Sequence, residues 1–342
     1  MFFASDNGSG ASPEVMAALM RANHGFSRGY GADDITERVT NEIRRIFEAP
    51  DASVQLVATG TAANALALAS MVQPWQAVFC HSHAHVAEDE CGAPEFFSNG
   101  AKLVLVEGDH GLIDPQALQR AIASHSGSVH GVQPGALTLT NVTEAGTVYS
   151  PDQIAALARI ARDHRLPTHL DGARFANALA ATGATPAEMT WKAGVDALSF
   201  GGTKNGCLGV EAVIFFDPAK DWEVQLRRKR AGHLFSKNRF LAAQFEGFLA
   251  EDAWLARARH ANAMAARLAR GLAQTGTVMQ RHPVEANVMF PEWPSGTHAR
   301  LAAAGAVYYT YPAPEGREAA RLVTSWNTTE AEVDAFVSAI TG

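Results

Sequence analysis

Thr168-His-Leu-Asp-Gly-Ala-Arg174 and Ser199-Phe-Gly-Gly-Thr-Lys204 are the two stretches that decide the fold of this chain. Each contains a short run typical of a buried strand, and each carries one charged side chain at the strand end, Asp171 or Lys204. Lys204 follows Asp171 by 33 positions, which leaves room for one helix, predicted over 184–194, between two parallel strands. Both side chains are therefore expected at the same edge of the sheet, where open α/β folds bind ligands.

An acid and a lysine at one sheet edge are the two groups that pyridoxal phosphate requires. The cofactor forms a Schiff base with a lysine amine, and a carboxylate keeps its pyridine nitrogen protonated so that the ring accepts electrons. The pair predicts a pyridoxal phosphate site with Lys204 and Asp171 in these two roles.

The stretch Ala58-Thr-Gly-Thr-Ala62 lies where a predicted strand turns into a helix. Its backbone amides and the hydroxyls of Thr59 and Thr61 suit a phosphate group at the positive end of the helix dipole. An ordinary capped turn is the alternative. Neither the P-loop motif nor the dinucleotide glycine motif follows the strand, which argues against ATP and NAD sites.

The composition places the chain among ordinary globular proteins. Its 342 residues carry a net charge of −7 without long runs of either sign, so neither nucleic acid nor a membrane surface is expected as a partner. The N-terminus lacks the features of a signal peptide, and no apolar run reaches the length of a membrane span. Three cysteines without metal-ligand spacing suit a reducing compartment. We expect a cytoplasmic protein.

Alternation of strands and helices begins near residue 54 and predicts a mostly parallel sheet flanked by helices. Two long helices, 222–248 and 253–274, follow, and then a short mixed segment. The fold class is therefore α/β, with a large domain over 1–248, including an N-terminal arm, and a smaller C-terminal α/β domain over 249–342. The predicted strands cover 54–58, 77–80, 102–107, 136–141, 168–170, 195–200, 210–216, 286–290, 306–310 and 322–326.

Three histidines alternate in Cys80-His-Ser-His-Ala-His85. An extended segment would place all three on one face, which makes a metal site an alternative. No further ligand motif lies nearby, so we predict no metal and instead one imidazole stacked on the cofactor ring.

Two arginines suit the carboxylate of a small substrate. Arg174 follows Asp171 by three positions, and Arg321 opens a predicted apolar strand without a nearby acid. Either guanidinium can hold a carboxylate through two hydrogen bonds. A structural ion pair is the alternative for both.

Seven motifs span nearly the whole chain: Phe3-Ala-Ser-Asp-Asn7, Ala22-Asn-His-Gly25, Gly60-Thr-Ala-Ala-Asn64, Asp89-Glu-Cys-Gly-Ala-Pro-Glu-Phe-Phe-Ser-Asn-Gly100, His169-Leu-Asp-Gly-Ala-Arg-Phe175, Trp191-Lys-Ala-Gly-Val-Asp196 and Phe200-Gly-Gly-Thr-Lys-Asn-Gly206. In order and spacing, they resemble the threonine aldolases, particularly the pseudomonad low-specificity L-type. These belong to the aspartate aminotransferase-like, fold-type I group of pyridoxal phosphate enzymes. The resemblance implies retro-aldol cleavage of L-threonine, L-allo-threonine or phenylserine to glycine and an aldehyde.

The resemblance also implies roles for individual residues. Lys204 and Asp171 keep the roles given above, Gly60 and Thr61 hold the phosphate, and His85, five positions before Glu90, stacks on the ring. Active sites of this family form between subunits, which implies a homo-oligomer, at least a dimer and more specifically a tetramer. The remaining assignments are Ser5, Arg174 and Arg321 for the substrate carboxylate, Arg174 also for the cofactor, and Tyr30 and Lys237 for a neighbouring subunit's cofactor.

The chain departs from the family at Asn141-Val-Thr-Glu-Ala-Gly146, because Glu144 stands where many members have a second histidine. We expect His85 to take the β-hydroxyl proton, or to position a water that does so, because an imidazole titrates near neutral pH. Glu144 is the second choice. An aminotransferase, a β-lyase, an enzyme resembling serine hydroxymethyltransferase or a non-catalytic pyridoxal phosphate-binding protein would use the same lysine and acid. The preferred aldehyde and the stereoselectivity at Cβ are left open.

Overall fold

A seven-stranded sheet lies at the centre of the protein, which we describe from a computed structural model covering residues 1–125 and 127–341. The spatial order is β1-β7-β6-β5-β4-β2-β3. Neighbouring strands are parallel except β7, which runs antiparallel to both β1 and β6. The strands are Ser53–Val57 (β1), Gln76–His81 (β2), Lys102–Val106 (β3), Gln133–Thr140 (β4), Thr168–Gly172 (β5), Ala197–Gly201 (β6) and Glu211–Phe215 (β7).

Helices flank this sheet. On one face, Ala63 and Leu66 pack with Val213, while Phe175 and Phe200 belong to the larger cluster of buried apolar side chains. The helices are Pro13–Ala22 (α1), Asp34–Ile46 (α2), Gly60–Ala69 (α3), His85–Glu88 (α4), Ala93–Phe97 (α5), Pro115–Ser124 (α6), Pro151–Asp163 (α7), Phe175–Thr182 (α8), Asp221–Arg230 (α9), Arg239–Leu249 (α10), Ala253–Gln274 (α11), Thr297–Ala303 (α12) and Glu330–Thr341 (α13).

A second, antiparallel sheet follows α11 in the order β11-β12-β10-β8, with β9 paired to β12. The N-terminal arm joins it, since the Phe3 amide donates to the carbonyl of Val307 at 2.8 Å and the Val323 amide donates to the carbonyl of Phe3 at 2.8 Å. The boundary between the two domains, placed between residues 248 and 249 from the sequence, stays a prediction. The strands are Met279–Gln280 (β8), Val288–Met289 (β9), Pro291–Pro294 (β10), Tyr309–Tyr311 (β11) and Arg317–Val323 (β12).

The α/β fold class and the seven strands of the central sheet are confirmed, with ends shifted by a few residues. The predicted helix 184–194 is wrong. The helix between β5 and β6 is α8, which ends because Gly183 takes the left-handed conformation (φ 73°). Residues 184–194 form turns and one short 3-10 helix at Trp191–Ala193.

Four further predicted elements need correction. Residues 222–248 form two helices, because the chain turns after α9 and Gly232 adopts a φ of 78°. In the C-terminal sheet, the strand predicted over 322–326 lies earlier, as β12, so Arg321 lies within the strand instead of opening it. The strands predicted over 286–290 and 306–310 are shorter or shifted, as β9 and β11.

None of the helices within the described ranges combines the length and the apolar character that a transmembrane span requires.

Candidate active site

A cavity of about 340 Å³ opens at the edge of the central sheet where β1, β4, β5 and β6 end and β7 begins. The parallel strands bring their carboxyl ends to this edge, as the sequence predicts. Six of the residues that line this cavity bear on its chemistry: Gly60, His85, Glu144, Asp171, Lys204 and Glu211.

Asp171 lies near the end of β5 and is only 2% exposed. Its Oδ2 accepts a hydrogen bond from Nδ2 of Asn64 at 2.8 Å, and its Oδ1 accepts one from the Ala173 amide at 3.0 Å. Two donors on two oxygens orient the carboxylate, which suits it to accept a further hydrogen bond from a protonated ring nitrogen.

Lys204 lies in a short 3-10 turn, Thr203–Asn205, directly after β6. In the described part of the chain its amine has neither a hydrogen-bond nor an ion-pair partner. Burial and then the charge of Arg174 lower the pKa of Lys204. A lowered pKa increases the share of neutral amine, the form that attacks an aldehyde.

The turn from β1 into α3 can hold a phosphate. Thr59 caps the helix, its Oγ1 accepting a hydrogen bond from the Ala62 amide at 3.2 Å, so the alternative of a capped turn is realised. The cap still leaves other first-turn amides without an intrahelical acceptor. A Cβ added at Gly60 would meet no atom within 4 Å, so open space lies beside the helix start. An anion the size of a phosphate fits there.

A hydrogen-bonded chain joins His85 to Asp171 inside the cavity wall. His85 Nδ1 lies 2.8 Å from Oε1 of Glu90, and Nδ2 of Asn64 donates to that same oxygen at 2.8 Å as well as to Asp171. The hydrogen bond with Glu90 is the main cause that raises the pKa of His85, and burial raises that of Glu90. Because Glu90 holds Nδ1, Nε2 is the His85 nitrogen left for other partners.

Sequence reasoning did not identify Asn64. It lies four positions after Gly60 on α3, and this i, i+4 spacing, which places two residues on one helix face, could have pointed to it.

The three alternating histidines do not share a face. His81 ends β2, His83 lies in a turn with its Nδ1 2.9 Å from Oε1 of Glu88, and His85 begins α4. In the described ranges, one group of three potential metal ligands lies within 4.8 Å: His85, Glu90 and Asp171. Asn64 donates one hydrogen bond to each of the two carboxylates in this group. These donors favour a hydrogen-bonded network over a cation site.

Arg174 forms a buried ion pair with Asp6 of the N-terminal arm. Its Nε donates to Oδ2 at 2.7 Å and its Nη2 to Oδ1 at 2.9 Å. Asn287 also donates to Oδ2 of Asp6 at 3.0 Å. Burial raises the pKa of Asp6, but Arg174, together with the charge of Lys204 and the hydrogen bond from Asn287, outweighs it, so the pKa lies below its ordinary value. The ion-pair alternative is therefore realised for Arg174, and sequence reasoning missed Asp6.

Arg321 lies close enough to Arg174 for the two charges to repel. Burial and then this repulsion lower the pKa of Arg321, whose Nη1 donates to the carbonyl of Ala4 at 3.3 Å. No carboxylate among the described residues forms an ion pair with it. Ser5, the next residue of the arm, accepts a hydrogen bond at Oγ from the Asn7 amide at 3.1 Å. Of these two neighbouring guanidiniums only Arg174 is paired with a carboxylate in the described residues, which leaves room for a second anion beside Arg321.

Glu144 lines the cavity from the loop after β4. The Thr143 amide donates to the carbonyl of Thr147 at 3.0 Å, which closes a tight turn around it. Gly146 makes this turn possible, since its φ is 84° and a Cβ there would lie 2.3 Å from the carbonyl oxygen of Val288. The negative charge of Glu144 contributes to the raised pKa of His85, so these two side chains face one site.

Tyr30 and Lys237 do not line this cavity. The Tyr30 amide donates to the carbonyl of Ser236 at 3.0 Å, which brings the two segments together at the surface. The Tyr30 ring is 56% exposed and lies 5.0 Å from Nζ of Lys229. Within one copy of the chain, therefore, neither residue lines the cavity that holds Lys204.

A further acid, Glu211, enters the cavity from the start of β7 and was not identified from the sequence. Because β7 is antiparallel, its first residue reaches the edge where the parallel strands have their last. The polar residue at the head of the apolar run 211–215 is the signal that could have found it.

This chain has a central, mostly parallel sheet whose edge carries a lysine, an acid and a helix start around one cavity. That arrangement is the one found in the fold-type I pyridoxal phosphate enzymes. The aspartate aminotransferase of Thermus thermophilus shares this fold at a TM-score of 0.72 and 16% identity, over 99% of this chain and 95% of its own.

Closer comparisons narrow the class. Residues 3–292 match the family described as beta-eliminating lyase. The low specificity L-threonine aldolase of Pseudomonas aeruginosa is 47% identical over 95% of this chain and 93% of its own length. A threonine aldolase structure from Leishmania major has a TM-score of 0.94 and 30% identity, covering 99% of this chain and 98% of its own. The chain belongs to the beta-eliminating lyase family and, within it, to the threonine aldolases.

Proposed function

We propose that this protein is a pyridoxal phosphate-dependent aldolase. It cleaves the Cα–Cβ bond of L-threonine, L-allo-threonine and related β-hydroxy-α-amino acids such as phenylserine, and releases glycine and an aldehyde. The observation that carries the proposal is one cavity that holds Lys204 and Asp171 together with two side chains able to take a proton, His85 and Glu144.

Five residues would hold the cofactor. Lys204 would bond to the aldehyde, Asp171 would face the ring nitrogen, Gly60 and Thr61 would bind the phosphate through their amides, and His85 would stack on the ring. Pyridoxal phosphate, when bound, supplies the electron sink that makes cleavage at Cα feasible. The unpartnered amine, the doubly hydrogen-bonded carboxylate and the open space beside Gly60 all fit this group.

Arg174, Arg321 and Ser5 would bind the carboxylate of the amino acid. Asp6 holds Arg174 through Nε and Nη2, so Nη1 is the nitrogen left for substrate. A carboxylate between the two guanidiniums would relieve the repulsion by Arg174 that, after burial, lowers the pKa of Arg321. Fixing this group orients the Cα–Cβ bond for cleavage.

Removal of the β-hydroxyl proton would fall to His85 Nε2, directly or through a water molecule, with Glu144 as the second choice. Glu90 anchors Nδ1 at 2.8 Å and thereby selects the nitrogen that faces the substrate. The charge of Glu144 helps to hold a proton on His85 once it has been taken up.

The active assembly would be a homo-oligomer in the cytoplasm, at least a dimer and more specifically a tetramer. Tyr30 and Lys237 would then complete a neighbour's site. A surface with exposed apolar side chains supports this proposal: Trp222 (68%), Leu226 (53%) and Phe96 (75%). Leu226 lines two adjoining cavities, one with Tyr30 and one with Phe96, so this surface is continuous.

The proposal is tested by incubating the purified protein with L-threonine, L-allo-threonine and phenylserine while glycine and aldehyde are measured. Equal amounts of both products are expected, together with a change in the visible spectrum when glycine is added. Release of a keto acid or ammonia without aldehyde would instead indicate an aminotransferase or a β-lyase. A spectrum typical of the cofactor without turnover on any amino acid would contradict catalysis altogether.

A further inference from the structure

Glu211 occupies a position for which the proposed chemistry has no use. In the antiparallel ladder it pairs with Val57, the last residue of β1, and on the other side with Gly201, the last residue of β6. One of these strands leads into the turn before α3, and the other leads into the loop of Lys204. Glu211 therefore lies between the helix start and the lysine, and it lines the same cavity.

The surroundings of Glu211 favour its neutral form. It is 5% exposed, and no cation in the described ranges forms an ion pair with it. Burial raises the pKa of Glu211 to about 7, although the nearby Thr203 side chain, the hydrogen bond from the Gly202 amide and the charge of Lys204 oppose the shift. The other charged or titratable groups that act on it are Asp171 and the buried thiol of Cys207.

A carboxylate here would oppose the anion that the cavity is built to hold. The phosphate group has a second pKa of about 6 and is mostly a dianion above that pH. A neutral carboxylic acid has the opposite effect, because its hydroxyl donates a hydrogen bond while its carbonyl still accepts one. Oε2 of Glu211 already accepts from the Gly202 amide at 2.9 Å, which leaves the other oxygen to carry the proton.

We propose that Glu211 is a cofactor-positioning residue, protonated in the loaded enzyme, which donates a hydrogen bond to the phosphate held at the start of α3. The inference rests on the proposed function, since it assumes a phosphate-bearing cofactor. It implies that loss of the Glu211 proton weakens cofactor binding and that binding takes up a proton.

Affinity for pyridoxamine 5′-phosphate, which carries the phosphate but no aldehyde, tests the proposal without turnover. The full-length apoprotein is titrated with it between about pH 6.5 and about pH 8.5 as wild type and as Glu211→Gln, whose amide donates at every pH. From low to high pH the wild-type Kd should rise about tenfold more than that of Glu211→Gln. Glu37→Gln, a change at an exposed site remote from the cavity, should follow the wild type.

The outcomes separate the two proposals. If pyridoxamine 5′-phosphate binds but wild type and Glu211→Gln show the same pH dependence, Glu211 does not act on the phosphate, and the inference fails alone. If the wild type does not bind it at any pH, the assigned cofactor and the inference both fail.

A second measurement does not depend on the folding of Glu211→Gln. Calorimetry of pyridoxamine 5′-phosphate binding in two buffers with different ionisation enthalpies counts the protons exchanged. Lys204→Ala protein is used so that the lysine amine does not contribute. At about pH 8, proton uptake should exceed that measured with pyridoxamine, which has the same ring but no phosphate, because binding of the phosphate protonates the ionised fraction of Glu211. Equal uptake with the two ligands would overturn the inference.

Discussion

Arg174 and Asp6 form a buried, doubly hydrogen-bonded ion pair that joins two segments 168 positions apart in the sequence. The pair ties the N-terminal arm to the loop after Asp171. The pair thereby positions Arg174, one of the two guanidiniums proposed to bind substrate. The second, Arg321, contacts the same arm through the Ala4 carbonyl, next to Ser5.

Asp6→Ala should strongly destabilise the protein, because it leaves the Arg174 charge buried without a partner. Removal of one member of a buried pair costs about 3–5 kcal/mol of unfolding free energy. The KM for threonine should also rise, since Arg174 loses its orientation. Denaturant unfolding and steady-state kinetics measure these effects. As a control, Glu42→Ala removes an exposed pair with Arg45 and should leave both quantities nearly unchanged.

The Asp6–Arg174 pair should also make the free energy of unfolding depend on pH. The pKa of Asp6 is lower in the folded than in the unfolded chain, so its stabilisation is present above the unfolded value of 3.8 and is lost as the pH falls through the lowered value. The difference in unfolding free energy between wild type and Asp6→Asn should therefore shrink below about pH 4. A difference independent of pH would show that the ionisation of Asp6 contributes nothing.

Lys204→Ala should abolish covalent attachment of the cofactor and turnover together, because it removes the unpartnered amine in the cavity. Borohydride treatment followed by mass spectrometry should link the cofactor to wild type but not to this variant. Lys102→Ala, at an exposed position of β3, should behave as wild type. A yellow Lys204→Ala protein that borohydride bleaches would refute the assignment.

His85→Asn should lower turnover about 10²–10⁴-fold while the cofactor remains bound. The hydrogen bond with Glu90 raises the pKa of His85, so the neutral, basic form gains population only as the pH rises through that raised value. The wild-type rate should climb over this interval, and His85→Asn should lack the climb. Glu144→Gln is the matched comparison: it should keep the climb but move it to lower pH, because the charge of Glu144 contributes to the raised pKa of His85. Unchanged turnover in His85→Asn would remove His85 as the base.

Gly146→Ala should displace the turn that presents Glu144. The new Cβ would lie 2.3 Å from the Val288 carbonyl oxygen and would add strain at a φ of 84°, for which about 1–3 kcal/mol is typical. Both stability and turnover should fall. Gly276→Ala has a similar positive φ, but its Cβ would meet no atom within 4 Å, so it isolates the backbone strain. Equal losses of stability and turnover in the two variants would show that the clash with the Val288 carbonyl contributes nothing.

The sequence predicted the central sheet better than the C-terminal one. The strands of a mostly parallel sheet are short, apolar runs with clear ends, whereas β8 and β9 have only two residues each and depend on pairing partners elsewhere in the chain. The helix predicted over 184–194 failed for another reason. The buried α8 has almost no polar face, so periodicity does not distinguish it from the segment that follows.

The sequence by itself determined the fold class, the cofactor and the pair Asp171 and Lys204, because strand ends in an alternating α/β chain must meet at one edge. Tertiary structure alone decided what surrounds the pair. Asn64 joins Asp171 to Glu90, and Asp6 meets Arg174 only after the arm has docked. Glu211 reaches the site because β7 runs against its neighbours. Contacts between residues far apart in the chain depend on packing and strand direction, which local patterns do not contain.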